Sequence, residues 1–162
     1  HDVDPVLGVL AASPDENVRR AAVETVGRRL QFRGGPADPL LKALRHKDQT
    51  TQLYAADALA RAGRGDGIHV LLSAVESAED LDDRTTAVEA LGALGDPRAL
   101  DLLLRLAGED GHALQEPAAE AIGHLRRGAD ADKVGRLLER LAKGSGEVAR
   151  RALAGLRWFD SD

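Results

Sequence analysis

An apolar quartet spaced i, i+3, i+4, i+7 recurs five times along the chain, and this repetition constrains the fold more than any other feature. The quartets begin at Val3, Ala37, Ile68, Leu100 and Val134, at intervals of 31 to 34 residues. At 3.6 residues per turn these offsets fall on one side of an α-helix. Each quartet therefore predicts one short helix, called helix A below.

A second quartet follows each first one by 18 or 19 residues and predicts a second helix, called helix B. The B quartets all open with alanine, at Ala22, Ala55, Ala87, Ala118 and Ala152. A small residue at one fixed place lets neighbouring helix backbones approach closely. This suits a chain of 162 residues with one Trp, one Tyr and two Phe.

A two-helix unit cannot bury its apolar face alone, so successive units must stack into one continuous core. The predicted fold class is therefore all-α, a right-handed α-α superhelix of about five two-helix repeats in a single domain. The expected repeats are about 1–33, 34–65, 66–96, 97–130 and 131–162. Since the chain opens with His1 and contains no methionine, we expect it to be a piece of a longer protein.

The breaks between helices carry the residues that start and stop helices. Ser13-Pro14-Asp15-Glu16 reads as a capping box with proline at the first helical position. The expected caps of later B helices are Asp48, Asp110 and Ser145. Glycines stand where B helices should end, at Gly34, Gly63, Gly95 and Gly128.

Several phrases resemble HEAT repeats of the short kind named after phycobilisome lyases, which are armadillo-like solenoids. They are AVETVG (22–27), AVEALG (87–92), AAEAIG (118–123) and GDPRALDLLLRLAGED (95–110). The resemblance implies a scaffold whose B helices line a concave side and hold a partner. Some members of this family are lyase subunits, and others are DNA alkylation-repair glycosylases or di-iron hydroxylases.

An acidic residue recurs two positions after the B-helix alanine, and we call this row the acidic ladder. It consists of Glu24, Asp57, Glu89 and Glu120, and the fifth repeat carries Ala154 instead. One interpretation is a negative stripe that holds a basic or amide-rich partner segment. The other, which we favour, is pairing within each helix, because Arg28, Arg61 and His124 follow four residues later. Ala93 follows Glu89 instead, so Glu89 is the acid we expect to be most available.

A second recurrent position lies three residues before the alanine and carries Arg19, Gln52, Arg84 and Gln115. In the family that this chain resembles, such side chains often reach a turn carboxylate of a neighbouring unit. The available carboxylates are Asp15, Asp48, Asp82 and Asp110. We interpret this position as a contact between repeats first and as a binding surface second.

Trp158 occupies the outward B-helix position held elsewhere by Arg28, Arg61, Ala93 and His124. An exposed tryptophan is a common recognition anchor. The alternative, which we favour, is that Trp158 packs on a further repeat, because a solenoid end needs a polar cap.

Catalytic and metal-binding patterns are absent from the sequence. Cysteine is missing, none of the five histidines is followed by glutamate, and no HExxH pair occurs. The His-Glu pairs of the di-iron relatives are therefore missing. The acidic run over residues 76–83 matches no calcium loop, so we interpret it as a solvated turn. We predict no catalytic residue, no metal and no cofactor.

The leading functional prediction is a non-enzymatic protein–protein interaction scaffold that binds its partner, another protein or another domain of the same longer chain, on the concave B-helix face. The alternatives are a nucleic-acid-binding or DNA-repair glycosylase-like protein, and a lyase- or chaperone-like subunit. Residues 36–123 carry eight basic and sixteen acidic groups, a net charge of −8, which disfavours nucleic acid. Residues 124–162 carry a net charge of +3, opposite to that of this acidic segment, which adds self-association as a further alternative.

The sequence contains no apolar run long enough to cross a membrane and no signal segment. We therefore expect a soluble protein, in the cytoplasm by default. The heavy use of Ala, Leu, Arg and Gly suggests a bacterial source.

Overall fold

The computed structural model of the protein describes residues 8–9, 12–125 and 131–160, apart from the side chains of residues 131, 133, 155, 156 and 158–160. Within this described part of the chain, the regular structure is helical throughout and no strand occurs. The α-helices that begin after residue 12 are α1 (Glu16–Arg33), α2 (Asp38–Ala43), α3 (Gln49–Arg61), α4 (Ile68–Ser77), α5 (Leu81–Leu94), α6 (Leu100–Gly108), α7 (Gln115–His124), α8 (Ala131–Ala142) and α9 (Gly146–Asp160).

The alternation of predicted A and B helices is confirmed. Helices α2, α4, α6 and α8 coincide with the last four A quartets, and two of them follow a short 3₁₀ turn, at Gly65–Gly67 and Pro97–Ala99. Helices α1, α3, α5, α7 and α9 coincide with the five B quartets, except that the last residues of two quartets, Ala62 and Leu125, are the C-caps of α3 and α7. The first A quartet overlaps residues that lie outside the described ones.

The expected capping box at the start of α1 is wrong, because Asp15 rather than Ser13 is the N-cap. Asp15 Oδ1 accepts hydrogen bonds from the backbone N–H groups of Asn17 at 2.8 Å and Val18 at 3.3 Å. Ser13 Oγ instead accepts from the Asp15 N–H at 3.2 Å. A carboxylate at the N-cap also complements the positive end of the helix dipole, so aspartate outcompetes serine here.

Of the remaining cap predictions, Asp48 is confirmed, Asp110 is wrong and Ser145 stays a prediction. Asp48 caps α3, accepting from the Thr51 N–H at 2.9 Å. Asp110 does not cap α7, which begins five residues later at Gln115. Ser145 immediately precedes α9.

The predicted glycine stops of α1, α3 and α5 are also confirmed, whereas α7 ends at His124 with Leu125 as its C-cap. Gly34 and Gly95 end α1 and α5 with φ of 70° and 66°, a left-handed region in which a Cβ would be strained. Gly63 follows α3. Gly128 lies outside the described residues.

Residues 1–78 form one compact unit, called unit 1 below. Within it α1 packs on α2 and α3, and α3 packs on α4. The core is aliphatic and fully enclosed at Val23, Leu40 and Leu59. Burying each such side chain contributes about 1.5–3 kcal/mol, so a few enclosed leucines and valines hold these helices together.

Residues 79–162 form the second compact unit, called unit 2 below. Helix α7 lies at its centre and packs on α5, α6 and α9, while α8 packs on α9. The largest enclosed side chains include Leu91, Leu103, Ile122 and Leu138. The same B-to-B packing therefore recurs in each unit, between α1 and α3 and along α5, α7 and α9.

Small residues set the spacing between stacked B helices, as predicted. The five B-helix alanines are all buried. A glycine five residues after the alanine adds to this effect. A Cβ added at Gly27 would lie 2.6 Å from Ala58 Cβ, and one added at Gly92 would lie 2.8 Å from both Cα and Cβ of Ala121. The backbones are thus closer than two alanines would permit.

Candidate functional site

The acidic ladder lies on the B-helix side that faces away from the core. Glu24 in α1 and Glu89 in α5 are exposed, whereas Asp57 in α3 and Glu120 in α7 are half-buried. The alanine two residues earlier is buried in every case. Helical geometry alone therefore places these acids at equivalent outward positions.

Glu24 is paired within α1, but its partner differs from the predicted one. Arg20 Nε lies 3.0 Å from Glu24 Oε1, so the base is four residues before the acid. The expected Glu24–Arg28 pair is therefore wrong. Both orders bring side chains together on a helix, and the order observed here is the less favourable one electrostatically. Arg28 is exposed.

Asp57 pairs with Arg61 at 2.8 Å, which confirms the predicted i, i+4 pair in α3. One turn earlier, the Arg20 guanidinium lies over the Tyr54 ring, 4.5 Å from its centroid. This cation–π contact connects the outward side of α1 with that of α3. The outward side of unit 1 is therefore a row of alternating charges joined across two helices.

In unit 2, Glu120 pairs with a base from another helix rather than with His124. Arg151 Nη1 of α9 bonds Glu120 Oε2, while its Nε lies 3.1 Å from Glu147 Oε1 and 4.0 Å from Glu116 Oε2. The predicted Glu120–His124 pair is therefore wrong. An arginine reaches farther than an imidazole and is always charged, so it is the stronger partner for several carboxylates.

The neighbouring glutamates stabilise the charged form of Arg151. Burial lowers the pKa of Arg151, but the charges and hydrogen bonds of Glu120 and Glu147 outweigh it and raise that pKa above its ordinary value. Arg151 is thus a fixed cation between α7 and α9.

The lack of a base four residues after Glu89 does not leave that acid without a partner, because Glu89 takes part in an interaction within the structure. His124 is exposed and also has an interaction partner. Trp158 belongs to α9, but its side chain lies outside the described residues, and its role stays a prediction.

Arg19 forms the predicted contact between repeats. Its Nε donates to Thr51 Oγ1 at 2.9 Å, and its Nη2 lies 3.1 Å from Asp48 Oδ2. Its Nη1 donates to the carbonyl oxygens of Ser13 at 2.9 Å and Pro14 at 2.8 Å. The Arg19 side chain is only 8% exposed, so this buried cation is held by oxygens from two consecutive repeats.

The same cluster of residues lowers the pKa of Asp48. The hydrogen bond from the Thr51 hydroxyl holds the pKa of Asp48 below its ordinary value, and the Thr51 N–H and Arg19 add to this effect against the opposing effect of burial. Asp48 therefore stays ionised, caps α3 and binds Arg19 at once.

The glutamines at the Arg19 position bind their own turns instead. Gln52 Nε2 donates to the His46 carbonyl at 2.6 Å, and Gln115 Nε2 donates to Asp110 Oδ1 and the Ala107 carbonyl, each at 3.2 Å. An amide is shorter than a guanidinium and does not span to the next repeat.

A comparison with protein families matches residues 37–123 to the family described as HEAT repeats. The match covers more than half of the chain. The chain belongs to the HEAT-repeat family. HEAT repeats generally mediate protein–protein interaction and are typically non-catalytic scaffolds.

One solved structure similar to this HEAT-repeat chain is the crystal structure of an engineered protein, with a TM-score of 0.61 and 21% sequence identity. The similarity covers 94% of this chain and 77% of the other. At this identity it shows the fold alone, an all-helical repeat fold of the α-solenoid class. No curated protein matches the sequence significantly.

Other kinds of site are not found in the described part of this HEAT-repeat chain. There, no group of three or more His, Asp or Glu side chains is arranged to hold a metal ion. No helix among the described residues is both long and apolar enough to cross a membrane.

Sequence reasoning missed three residues of the ladder's surroundings: Arg20, Tyr54 and Arg151. Arg20 stands four residues before Glu24, a signal that is visible in the sequence. Tyr54 and Arg151 both stand immediately before the B-helix alanine. In the structure the side chains at this position contact the preceding B helix. The apolar periodicity of a single repeat does not reveal that contact.

Proposed function

We propose that this HEAT-repeat protein is a non-enzymatic scaffold that binds a protein partner on the outward face of its B helices. The supporting observation is that the same outward position carries an acid in four successive B helices, while the inward positions carry the aliphatic core. The residues proposed for this face are Glu24, Asp57, Glu89, Glu120, Arg28, Arg61, His124 and Trp158.

The ion pairs on this face indicate which charges a partner should present. Glu24 and Asp57 already hold Arg20 and Arg61, so the face of unit 1 is a row of mixed charges rather than a negative stripe. Exposed pairs of this type contribute only about 0.2–1 kcal/mol, so a partner can exchange them at little cost. We therefore expect a protein partner that presents both acidic and basic side chains.

Site-specific photo-crosslinking tests the proposed face. A photoreactive phenylalanine analogue at Arg28 or Glu89 should crosslink a discrete protein in cell extract. The matched control places the analogue at Lys42 or Glu139, which are exposed on A helices. Equal crosslinking from all four positions, or crosslinking from the A helices alone, would refute the proposed face.

Charge reversal provides an independent check within unit 1. We expect the double variant Glu24→Lys/Asp57→Lys to lose the crosslinked partner. The control variant Glu16→Lys/Asp38→Lys changes the net charge equally at exposed positions in the first turns of α1 and α2, and it should retain the partner. If Glu24→Lys/Asp57→Lys still crosslinks the partner, those two acids have a structural role only. If nuclease treatment removes the crosslinked product, the partner is a nucleic acid rather than a protein.

A further inference from the structure

The C-terminal end of α1 exposes an aromatic ring among arginines. Phe32 is 76% exposed, the highest value among the large apolar residues of the described chain. Arg28 lies one helical turn earlier and Arg33 is adjacent, and both are exposed. No side-chain hydrogen bond or ion pair joins either arginine to another described residue, in contrast to Arg19, Arg20 and Arg61. We call Arg28, Phe32 and Arg33 the basic aromatic patch.

The turn before α5 has the opposite character. Residues 76–83 contain five acids and no base. Leu81 at the start of α5 is 48% exposed among them, and Glu79 and Asp82 on either side are exposed. Asp80 is engaged as the N-cap of α5, accepting from the Asp82 N–H at 2.7 Å. We call Glu79, Leu81 and Asp82 the acidic leucine turn.

These two surfaces complement each other in charge and in apolar character. Each exposes one large apolar side chain, and burying it removes that surface from water. The arginines around Phe32 form no ion pair with a described acid, and opposite charges across an interface select the partner and its orientation. We propose that the basic aromatic patch of one copy binds the acidic leucine turn of a second copy of this chain.

Such a contact is heterologous, because two different surfaces of the same chain meet. Every copy then keeps one unoccupied patch and one unoccupied turn, so association continues beyond a dimer unless the chain of copies closes into a ring. This contact shares Arg28 with the proposed partner-binding face, but it goes beyond the proposed function because it concerns the purified protein without another partner.

Sedimentation velocity of the intact chain tests it. The weight-average sedimentation coefficient of the wild type should rise with protein concentration and fall back in high salt, because screening weakens the contact. Phe32→Ser and Leu81→Ser should each abolish the rise. The matched controls Val9→Ser and Leu153→Ser alter residues that are 73% and 50% exposed elsewhere, and they should associate like the wild type.

A charge-swap experiment makes the test specific. Arg28→Glu/Arg33→Glu and Glu79→Lys/Asp82→Lys should each sediment as monomers, with unchanged helical circular dichroism. Their equimolar mixture should associate again, because each variant supplies the surface that the other lacks. A wild type that stays monomeric at all concentrations, an association that survives Phe32→Ser, or a mixture that stays monomeric would overturn the proposal.

Discussion

Two arginines connect consecutive repeats in this protein, and they do so in different environments. In unit 1, Arg19 is 8% exposed and bonds Asp48, Thr51 and two carbonyl oxygens. In unit 2, the Arg151 side chain is 35% exposed and binds a group of glutamates. Both contacts join neighbouring B-helix repeats, but only the first is removed from water. We therefore expect burial, rather than the number of partners, to decide how much each contact contributes to stability.

The first prediction removes the buried arginine. Arg19→Met should lower the free energy of unfolding by about 2–3 kcal/mol, because the carbonyls of Ser13 and Pro14 and the Asp48 carboxylate lose a charged donor. Urea denaturation followed by circular dichroism measures this loss.

The control for Arg19→Met is Arg20→Met, which removes an arginine whose side chain is 53% exposed. It should cost less than about 1 kcal/mol. Equal losses in the two variants would contradict the importance of burial.

The second prediction compares the helix contacts themselves. Gly27→Ala and Gly92→Ala should each lower the free energy of unfolding by about 1–2 kcal/mol. Overpacking destabilises by about 1–3 kcal/mol, and the higher helix propensity of alanine offsets about 1 kcal/mol of this loss. In unit 1 the added methyl group would lie 2.6 Å from Ala58 Cβ and 3.3 Å from its Cα. In unit 2 it would lie 2.8 Å from the Ala121 Cα itself.

Double-mutant cycles separate these two clashes. Ala58→Gly removes the side-chain atom that clashes in unit 1, so it should suppress most of the cost of Gly27→Ala. Ala121→Gly leaves the backbone clash in place and should leave the cost of Gly92→Ala nearly unchanged. Coupling energies of equal size in unit 1 and unit 2 would show that the helices separate instead of holding their spacing.

Most of the fold could be predicted from the sequence, because its determinants are local and repeated. The quartets placed A helices at α2, α4, α6 and α8, and the row of alanines predicted close packing of the B helices. The cap at Asp15 was misassigned because serine, proline and aspartate compete within three residues. Helix boundaries depend on such local competition between similar hydrogen bonds.

The sequence predicts the positions of the acidic-ladder residues, but it predicts only some of their ion-pair partners. Asp57 and Arg61 pair as expected because both residues lie on one helix. Glu120 binds Arg151, which is 31 residues away, and the distance between those side chains depends on how α7 and α9 pack. Contacts within one helix follow from its period, whereas contacts between helices need the packed structure.

The third prediction uses the pH dependence of the buried cluster. The pKa of Asp48 is lowered from its ordinary value of 3.8 in the folded protein. Its contribution to stability is therefore complete above pH 3.8 and is lost as the pH falls through the lower folded value. Asp48→Asn keeps an N-capping side chain but removes the charge, so it should cost about 1 kcal/mol at neutral pH.

Urea denaturation of the wild type and Asp48→Asn across acidic pH measures this effect. The difference between their free energies of unfolding should shrink below pH 3.8, where the wild-type carboxylate takes up its proton. A difference that is constant down to the acid limit would mean that the substitution acts by disrupting packing rather than by removing charge.

The last and smallest prediction concerns Arg151 in the exposed contact. Arg151→Met should lower the free energy of unfolding by less than about 1 kcal/mol, because its partners Glu120 and Glu147 return to water when the arginine is removed. The loss should disappear at about 1 M salt, where charges are screened within about 3 Å. The loss caused by Arg19→Met should persist under the same conditions, since its hydrogen bonds are buried. If both losses respond equally to salt, the two arginines act through the same electrostatic field, and burial does not distinguish them.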